Sequence, residues 1–182
     1  MSEIKVATRY AKSLIDLALE QNALEEIKGD MQLFADTMKA NSELRAVVKN
    51  PIIPLDKKNA ILKAIFGEKI HKVTSAFLKI VVDKGRAEII YGVAKEFLNE
   101  YNQHKNIVTA YVTSAATLTD TARKEIISKI KAVTGGEVIL NETVDSKLIG
   151  GFVLTVGDKQ FDSSIASSLG RLKKDFSQKV IA

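Results

Sequence analysis

The sequence predicts an α+β protein of two domains: an N-terminal six-helix bundle over residues 1–105, and a smaller C-terminal α/β domain over residues 106–182 with a short sheet and two helices. Apolar residues in the first segment recur every three or four positions, which is the spacing of amphipathic helices. The second segment opens with β-branched and aromatic residues, which are typical of a strand. The change of pattern near residue 105 predicts the domain boundary.

Six short helices with brief connections account for the first segment. We expect Asn41-Ser42 to cap the third helix and Asp56 the fourth. Pro51 ends the third helix, because the residue before a proline is disfavoured in helical conformation, and Gly67 and Gly85 end the next two. The predicted inward-facing residues are Ile4, Ala7, Ala11, Leu14, Ile15 and Ala18; Leu24, Ile27, Met31, Phe34 and Met38; Leu44, Val47 and Val48; Ile61, Ala64 and Ile65; Val73, Phe77, Leu78, Val81 and Val82; and Ile89, Ile90, Val93, Phe97 and Tyr101.

The second segment alternates strands and helices. Strands are predicted over residues 107–113, 138–140 and 152–156. A helix capped by Thr119 or Asp120 ends at Gly135-Gly136, and a last helix begins after Asp162 or Ser163. The predicted inward-facing residues of these two helices are Ile126, Ile127, Ile130 and Val133, and Ile165, Leu169, Leu172 and Phe176.

Composition excludes several classes of protein. The 182 residues contain no cysteine and only two histidines, which excludes disulfides, thiolate zinc sites and cysteine nucleophiles. No stretch approaches the roughly 18 apolar residues of a membrane-spanning helix. The first residues resemble neither a secretory signal nor a transit peptide, so we expect a cytosolic protein. The net charge of +5 is spread over both halves, as on a mixed solvated surface.

No motif for catalysis or phosphate binding stands out. Gly135-Gly136 follows a predicted helix and Gly150-Gly151 precedes a strand, so neither pair has the context of a phosphate-binding loop. These glycines are better explained by turns and close backbone approach. The first helix carries Tyr10 and Leu17 in addition to its inward stripe, so it is either fully buried or has a second partner. The residues alone indicate a two-domain interaction protein without an evident active site.

Several motifs along the chain resemble the δ subunit of F-type ATP synthase, whose mitochondrial counterpart is the oligomycin-sensitivity-conferring protein. The similar segments are Arg9–Leu14, Asn50-Pro51 followed by Lys57 or Lys58, Phe77-Leu78 with Lys84–Arg86, and Leu148–Asp158 followed by Phe161–Ser164 and Leu169. They run in order over nearly the whole chain, and the C-terminal group is the most specific. Without a transit peptide, the chain resembles a bacterial member.

This resemblance implies a stator function. Such a subunit belongs to the peripheral stalk and links the α subunits of the catalytic head to the b subunits, so that the head does not rotate with the central stalk during proton-driven ATP synthesis. The resemblance implies no catalytic activity, no metal, no cofactor, no nucleic acid and no small-molecule substrate. It also implies a peripheral location at the cytoplasmic face of the bacterial plasma (inner) membrane, through the complex alone. A basic nucleic-acid-binding or adaptor protein is the alternative.

The resemblance also implies two partner surfaces. Helices 1 and 5 would hold the N-terminal helix of one α subunit, and the C-terminal domain would bind the b subunits. Carried over to this sequence, the α-binding residues are Ala7, Tyr10, Ala11, Leu14, Phe77, Val81 and Val82, and the b-binding residues are Gly150, Gly151, Phe152, Asp158 and Leu169. If Ala11 faces the α subunit, an Ala11→Asp variant is expected to lose the partner without unfolding.

Overall fold

In a computed structural model, residues 3–179 are described, and they form eight α-helices, one 3-10 helix and four strands. The chain is therefore an α+β protein, as the sequence predicts. It divides into two compact units, residues 1–102 and residues 103–182. The helices are α1 (Glu3–Glu20), α2 (Leu24–Ala40), α3 (Ser42–Lys49), α4 (Leu55–Phe66), α5 (Lys72–Asp83), α6 (Ile90–His104), α7 (Asp120–Thr134) and α8 (Ile165–Lys179), and the 3-10 helix is Ala87–Ile89. The strands are β1 (Ile107–Ser114), β2 (Glu137–Val144), β3 (Phe152–Val156) and β4 (Lys159–Asp162).

Aromatic and aliphatic side chains from α1 to α6 form the core of the first unit. Phe34 of α2 and Phe66 of α4 pack with ring centroids 4.9 Å apart, and Phe97 of α6 is equally buried. Small residues at Ala11 and Ala18 let α1 lie close to its neighbours, since neither side chain retains any exposure. Each buried phenylalanine contributes about 1.5–3 kcal/mol of hydrophobic free energy.

Most of the predicted inward stripes of the first unit are confirmed. The named residues of α2 and α6 are all buried, as are those of α1 except the exposed Ile4. The prediction for α4 is wrong, because the helix buries Lys58, Leu62 and Phe66 instead of Ile61, Ala64 and Ile65. Lys58 takes an inward position because its Nζ donates to the carbonyl of Val48, 2.8 Å away, at the end of α3.

Two other predictions of helix starts are wrong. Asn41 precedes α3 but forms no side-chain cap, and its Nδ2 instead donates to the carbonyl of Thr37. Helix α4 begins at Leu55 after Pro54, so Asp56 lies within its first turn and does not cap it. Proline suits this place because its fixed φ is compatible with a helix start, and it has no N–H to satisfy.

A buried carboxylate fixes the start of α5 against α2. Asp30 of α2 accepts hydrogen bonds from the backbone N–H of His71, at 2.8 Å, and from the hydroxyl of Thr74, at 2.6 Å. His71 is the N-cap of α5, and its Nδ1 accepts from the N–H of Val73. Backbone donors at a helix start need such acceptors. The two helices are thus joined by hydrogen bonds as well as by apolar packing.

The second unit is a four-stranded mixed sheet with the order β2-β1-β3-β4. Strands β1 and β2 are parallel and are joined by α7, whereas β3 pairs antiparallel with both β1 and β4. Ala110 and Val112 of β1 pack against Ile126 and Ile130 of α7 and form the centre of a small core. This core lies on one face of the sheet, because side chains two positions apart on a strand point the same way.

The cap and the end of α7 agree with the sequence. Thr119 accepts from the N–H of Ala122, and Gly135 ends the helix with a left-handed φ of +69°. Val133 was predicted to face inward, but it is 83% exposed. The prediction fails because the small sheet covers only the face of α7 around Ile126 and Ile130. Strand β4 was not predicted, since its residues Lys159–Asp162 are mostly polar and exposed.

Candidate partner-binding surfaces

An apolar groove of about 300 Å³ lies between α1 and α5 of the first unit. Its lining residues come from both helices and are Leu17, Gln21, Lys72, Val73, Ala76, Phe77 and Ile80. Ile80 is 55% exposed, although an isoleucine at this place would normally be covered. We call this surface the α1–α5 groove.

Three side chains hold one aromatic face of this groove in place. The rings of Tyr10 and Phe77 meet edge to face, with centroids 6.2 Å apart and planes at 70°. Arg86, in the turn after α5, donates from Nη1 to the hydroxyl of Tyr10 at 2.7 Å, and its Cζ lies 5.8 Å from the ring centre. Edge-to-face packing and a cation over the ring both favour this arrangement. Phe77 is therefore presented to the groove by an ordered neighbour.

The residues predicted to bind an α subunit separate into two groups. Tyr10 and Phe77 are half-buried and in contact, and Phe77 lines the groove. The other five are buried in the first unit, and a partner would reach them only if a helix moved; they are Ala7, Ala11, Leu14, Val81 and Val82. Because no partner is present, binding by these residues stays a prediction.

Two lining residues, Leu17 and Ile80, were not among the predicted site residues. The sequence contained a signal for Leu17, because it is an apolar residue outside the inward stripe of α1. Ile80 carried no such signal, because it adjoins the buried pair Val81-Val82 in a helix with apolar residues on several sides. Only the packing of α1 against α5 shows that Ile80 remains open.

The expectation that Ala11→Asp leaves the fold intact is wrong. The side chain of Ala11 has no exposed surface. An aspartate at this position would lose its hydration without gaining a partner, which is strongly unfavourable. A test of partner binding therefore requires an exposed residue of the groove, and Ile80 meets that requirement.

The glycine pair before β3 lets a loop approach the start of α8. Gly151 has a φ of +82°, and a side chain there would collide with the carbonyl of Ser163. The N–H of Ser163 donates to the carbonyl of Phe152, and the N–H of Ile165 donates to that of Gly150. Glycine is suited to both the positive φ and the close contact. The pair is thus explained by backbone packing, as the sequence favours.

The predicted b-binding residues do not form one cluster. Gly150, Gly151 and the half-buried Phe152 lie beside the start of α8, and Leu169 lies on α8 with its side chain exposed. Asp158 is exposed in the turn between β3 and β4, at the opposite end of β3. Contact of any of them with a b subunit stays a prediction.

Helix α8 exposes a continuous apolar stripe. Its members were predicted to face inward, but they are 45–66% exposed; they are Ile165, Leu169, Leu172 and Phe176. Their spacing of four, three and four residues places them on one side of the helix. We call this surface the α8 stripe. The prediction that they share a face is confirmed, and the prediction that they are inward is wrong.

A hydrogen-bond network holds the start of α8. The carboxylate of Asp162 accepts from the backbone N–H of Ser164 at 2.9 Å and from the hydroxyl of Ser167. The hydroxyl of Ser164 accepts from the N–H of Ser167. The hydrogen bond from Ser167, followed by those from Ser164, lowers the pKa of Asp162 to about 2. The first turn of α8 is therefore well capped at neutral pH.

The described residues show no site for chemistry. Residues 3–179 contain no group of three or more His, Asp or Glu side chains placed to hold a metal ion. The Arg123 guanidinium lowers the pKa of Glu142 by a hydrogen bond, but this exposed pair joins α7 to β2 and lies in no cleft. Within the same range, no helix is long and apolar enough to cross a membrane. The two apolar surfaces are therefore the main candidates for function.

A family model for the ATP synthase delta (OSCP) subunit matches residues 6–176. The chain belongs to this family. ATP synthase subunit delta of Cytophaga hutchinsonii is 39% identical over 181 residues, covering 100% of this chain and 99% of that protein. The subunit delta of Flavobacterium psychrophilum is 34% identical, with 97% and 99% covered. As an ATP synthase delta subunit, the chain is a peripheral-stalk subunit of an F-type ATP synthase, and a nucleic-acid-binding adaptor is not favoured.

A solved structure shares the fold. The delta family member in the Toxoplasma gondii mitochondrial ATP synthase hexamer superposes with a TM-score of 0.72 at 23% identity. The match covers 93% of this chain and 96% of the other, so the fold extends over both units. The chain is thus a subunit of a membrane-associated complex, and its partners belong to that ATP synthase.

Proposed function

We propose that this delta subunit ties an α subunit of the catalytic head to the b subunits of the peripheral stalk and catalyses no reaction itself. Residues 1–105, as a six-helix bundle, bind the head, and residues 106–182 bind the stalk. In a bacterial cell the subunit would lie at the cytoplasmic face of the plasma membrane. The observation that carries this proposal is the open apolar groove between α1 and α5.

The α1–α5 groove suits an amphipathic helix. Leu17 projects from one wall, and Phe77 and Ile80 from the other, so the apolar residues of an incoming helix meet apolar side chains on both sides. Gln21 and Lys72 supply polar groups at the rim. The aromatic pair of Tyr10 and Phe77 is already ordered, which reduces the entropy lost on binding. We propose the N-terminal helix of an α subunit as the ligand.

A stator needs slow dissociation more than fast association. Torque from the central stalk acts on the head during every turn, and a weak contact would let the head slip. Buried apolar anchors meet this need, since each well-covered leucine, isoleucine or phenylalanine contributes about 1.5–3 kcal/mol. Exposed ion pairs contribute less than about 1 kcal/mol each. The groove offers three such anchors in Leu17, Phe77 and Ile80.

The second unit carries a separate surface for the stalk. The α8 stripe is exposed and its helix is capped by Asp162 and Ser164. The loop Gly150–Phe152 lies beside the start of this helix. We propose that the end of the b subunits contacts α8 and this loop. One chain would then carry two partner surfaces, one in each unit.

The proposal is tested by titrating the full chain with a peptide of the α subunit's N-terminal helix in a calorimeter. We expect one peptide to bind per chain, with a negative heat-capacity change and little dependence on salt. An Ile80→Glu variant should weaken binding about a hundredfold, because a charge replaces an apolar anchor. The fold should persist, since Ile80 is already exposed.

Ile52→Glu is the matched control for this experiment. Ile52 is 86% exposed, lies in the turn between α3 and α4, and does not line the groove. The substitution is the same, so any general effect of the added charge is shared. Equal binding by Ile80→Glu and Ile52→Glu would show that the groove is not the α-binding site.

A further inference from the structure

The α8 stripe has the spacing of a coiled-coil seam. Ile165, Leu169, Leu172 and Phe176 follow one another by four, three and four residues, which is the alternation of d and a positions in a heptad. The seam is about 17 Å long, or about three helical turns. A straight apolar seam of this kind packs best against another helix lying nearly parallel to it. The occupant of the stripe is therefore expected to be a helix.

Helix α8 is prepared for such contact before its partner arrives. The Asp162 carboxylate and the Ser164 hydroxyl together accept three hydrogen bonds from Ser164 and Ser167 at its start. Isolated helices of about 15 residues are marginal in water, so the cap helps to keep α8 folded while its apolar side is exposed. A pre-formed helix loses less entropy on docking than one that folds on binding.

The charge of α8 indicates the chemistry of the partner. The helix sequence contains four basic residues and one acidic residue, a net charge of +3; they are Arg171, Lys173, Lys174, Lys179 and Asp175. Lys173 occupies an e position beside the seam, where charged residues choose the partner in coiled coils. The exposed Arg171 and Lys174 add to the positive field around the helix. A partner with acidic flanks is attracted, and a basic one is repelled.

We propose that the α8 stripe docks an acidic amphipathic helix of about three turns, in a coiled-coil-like pair whose specificity comes from the basic residues of α8. This inference rests on the proposed function, in which the occupant is the end of a b subunit. It adds that the contact is helix on helix, that it is centred on Leu169 and Leu172, and that the partner helix is net negative.

Two synthetic peptides test the proposal on the full chain. Both carry the same leucine and isoleucine heptad seam, and their flanking positions are glutamate in one and lysine in the other. We expect the acidic peptide to bind at least about tenfold more tightly at low salt, with the difference shrinking as salt rises. Lys173→Glu should reduce that preference. Equal binding of the two peptides would overturn the proposed charge selection.

Leu172→Ser and Ala166→Ser locate the site. Leu172 is half-exposed on the seam and Ala166 is exposed off it, so both variants are expected to fold. Leu172→Ser should reduce binding of the acidic peptide about tenfold or more, and Ala166→Ser should not. Equal binding by the two variants would overturn the site, as would self-association of the chain that Leu172→Ser abolishes.

The soluble part of the b subunit separates this inference from the proposed function. Binding of b that is lost in Leu172→Ser and retained in Ala166→Ser supports both. Binding of b that survives in Leu172→Ser overturns the α8 site but leaves the stator function intact. If b does not bind the wild-type chain, the proposed stalk contact fails whatever the peptides do.

Discussion

Ala11→Asp is expected to destabilise the first unit by more than about 4 kcal/mol, since it places a carboxylate without a partner in a packed core. Ala11 has no exposed surface, and its neighbours on the same helix face, Ala7 and Leu14, are also buried. Helix α1 would have to move outward to hydrate the charge. Because α1 forms one wall of the α1–α5 groove, binding of the α peptide should fail together with the fold.

Urea unfolding followed by far-UV circular dichroism measures this effect, since α1 to α6 supply most of the helical signal. Leu19→Asp is the control, because Leu19 lies on the same helix with its side chain partly exposed. That variant should unfold within about 1 kcal/mol of the wild-type chain. An Ala11→Asp variant as stable as Leu19→Asp would show that α1 does not pack as described.

Asp30→Ala is expected to destabilise the first unit by about 3 kcal/mol. The substitution leaves the backbone N–H of His71 and the buried hydroxyl of Thr74 without their acceptor, and hydrogen bonds to a carboxylate contribute about 1.5–3 kcal/mol each. The start of α5 should loosen, although Asp30 lies outside the groove. Affinity for the α peptide should then fall about tenfold through lost preorganisation.

Asp30→Asn separates the acceptor from the charge. An amide oxygen can still accept from His71 and Thr74, so this variant should lose less than half of the stability that Asp30→Ala loses. Urea unfolding and calorimetric titration measure both consequences on the same samples. If Asp30→Ala unfolds like the wild-type chain, the carboxylate does not hold α5 in place.

Where apolar residues alone determine the face of a helix, the sequence predicted it. Each named residue of α2 and α6 is buried, and Phe152–Val156 is a strand as expected. The prediction failed where a polar residue takes an inward position. Lys58 is buried because its ammonium group meets the Val48 carbonyl from another helix, and no local pattern in α4 contains that information.

The candidate surfaces were only partly predictable for a related reason. Periodicity tells which residues share a face, but not whether the protein itself covers that face. The α8 stripe was correctly grouped and wrongly placed inside, since nothing in residues 165–176 states that the sheet leaves them exposed. In α1, Leu17 lay outside the stripe and so gave a visible sign of a second contact surface.

The measurement that tests the central claim most directly is sedimentation of the full chain with the α peptide and the soluble part of b together. The account predicts one complex that contains all three, with each partner bound as tightly as it is alone, because the two surfaces lie in different units. Competition between α and b for one chain would contradict the account, because a chain that holds only one partner at a time cannot be a stator.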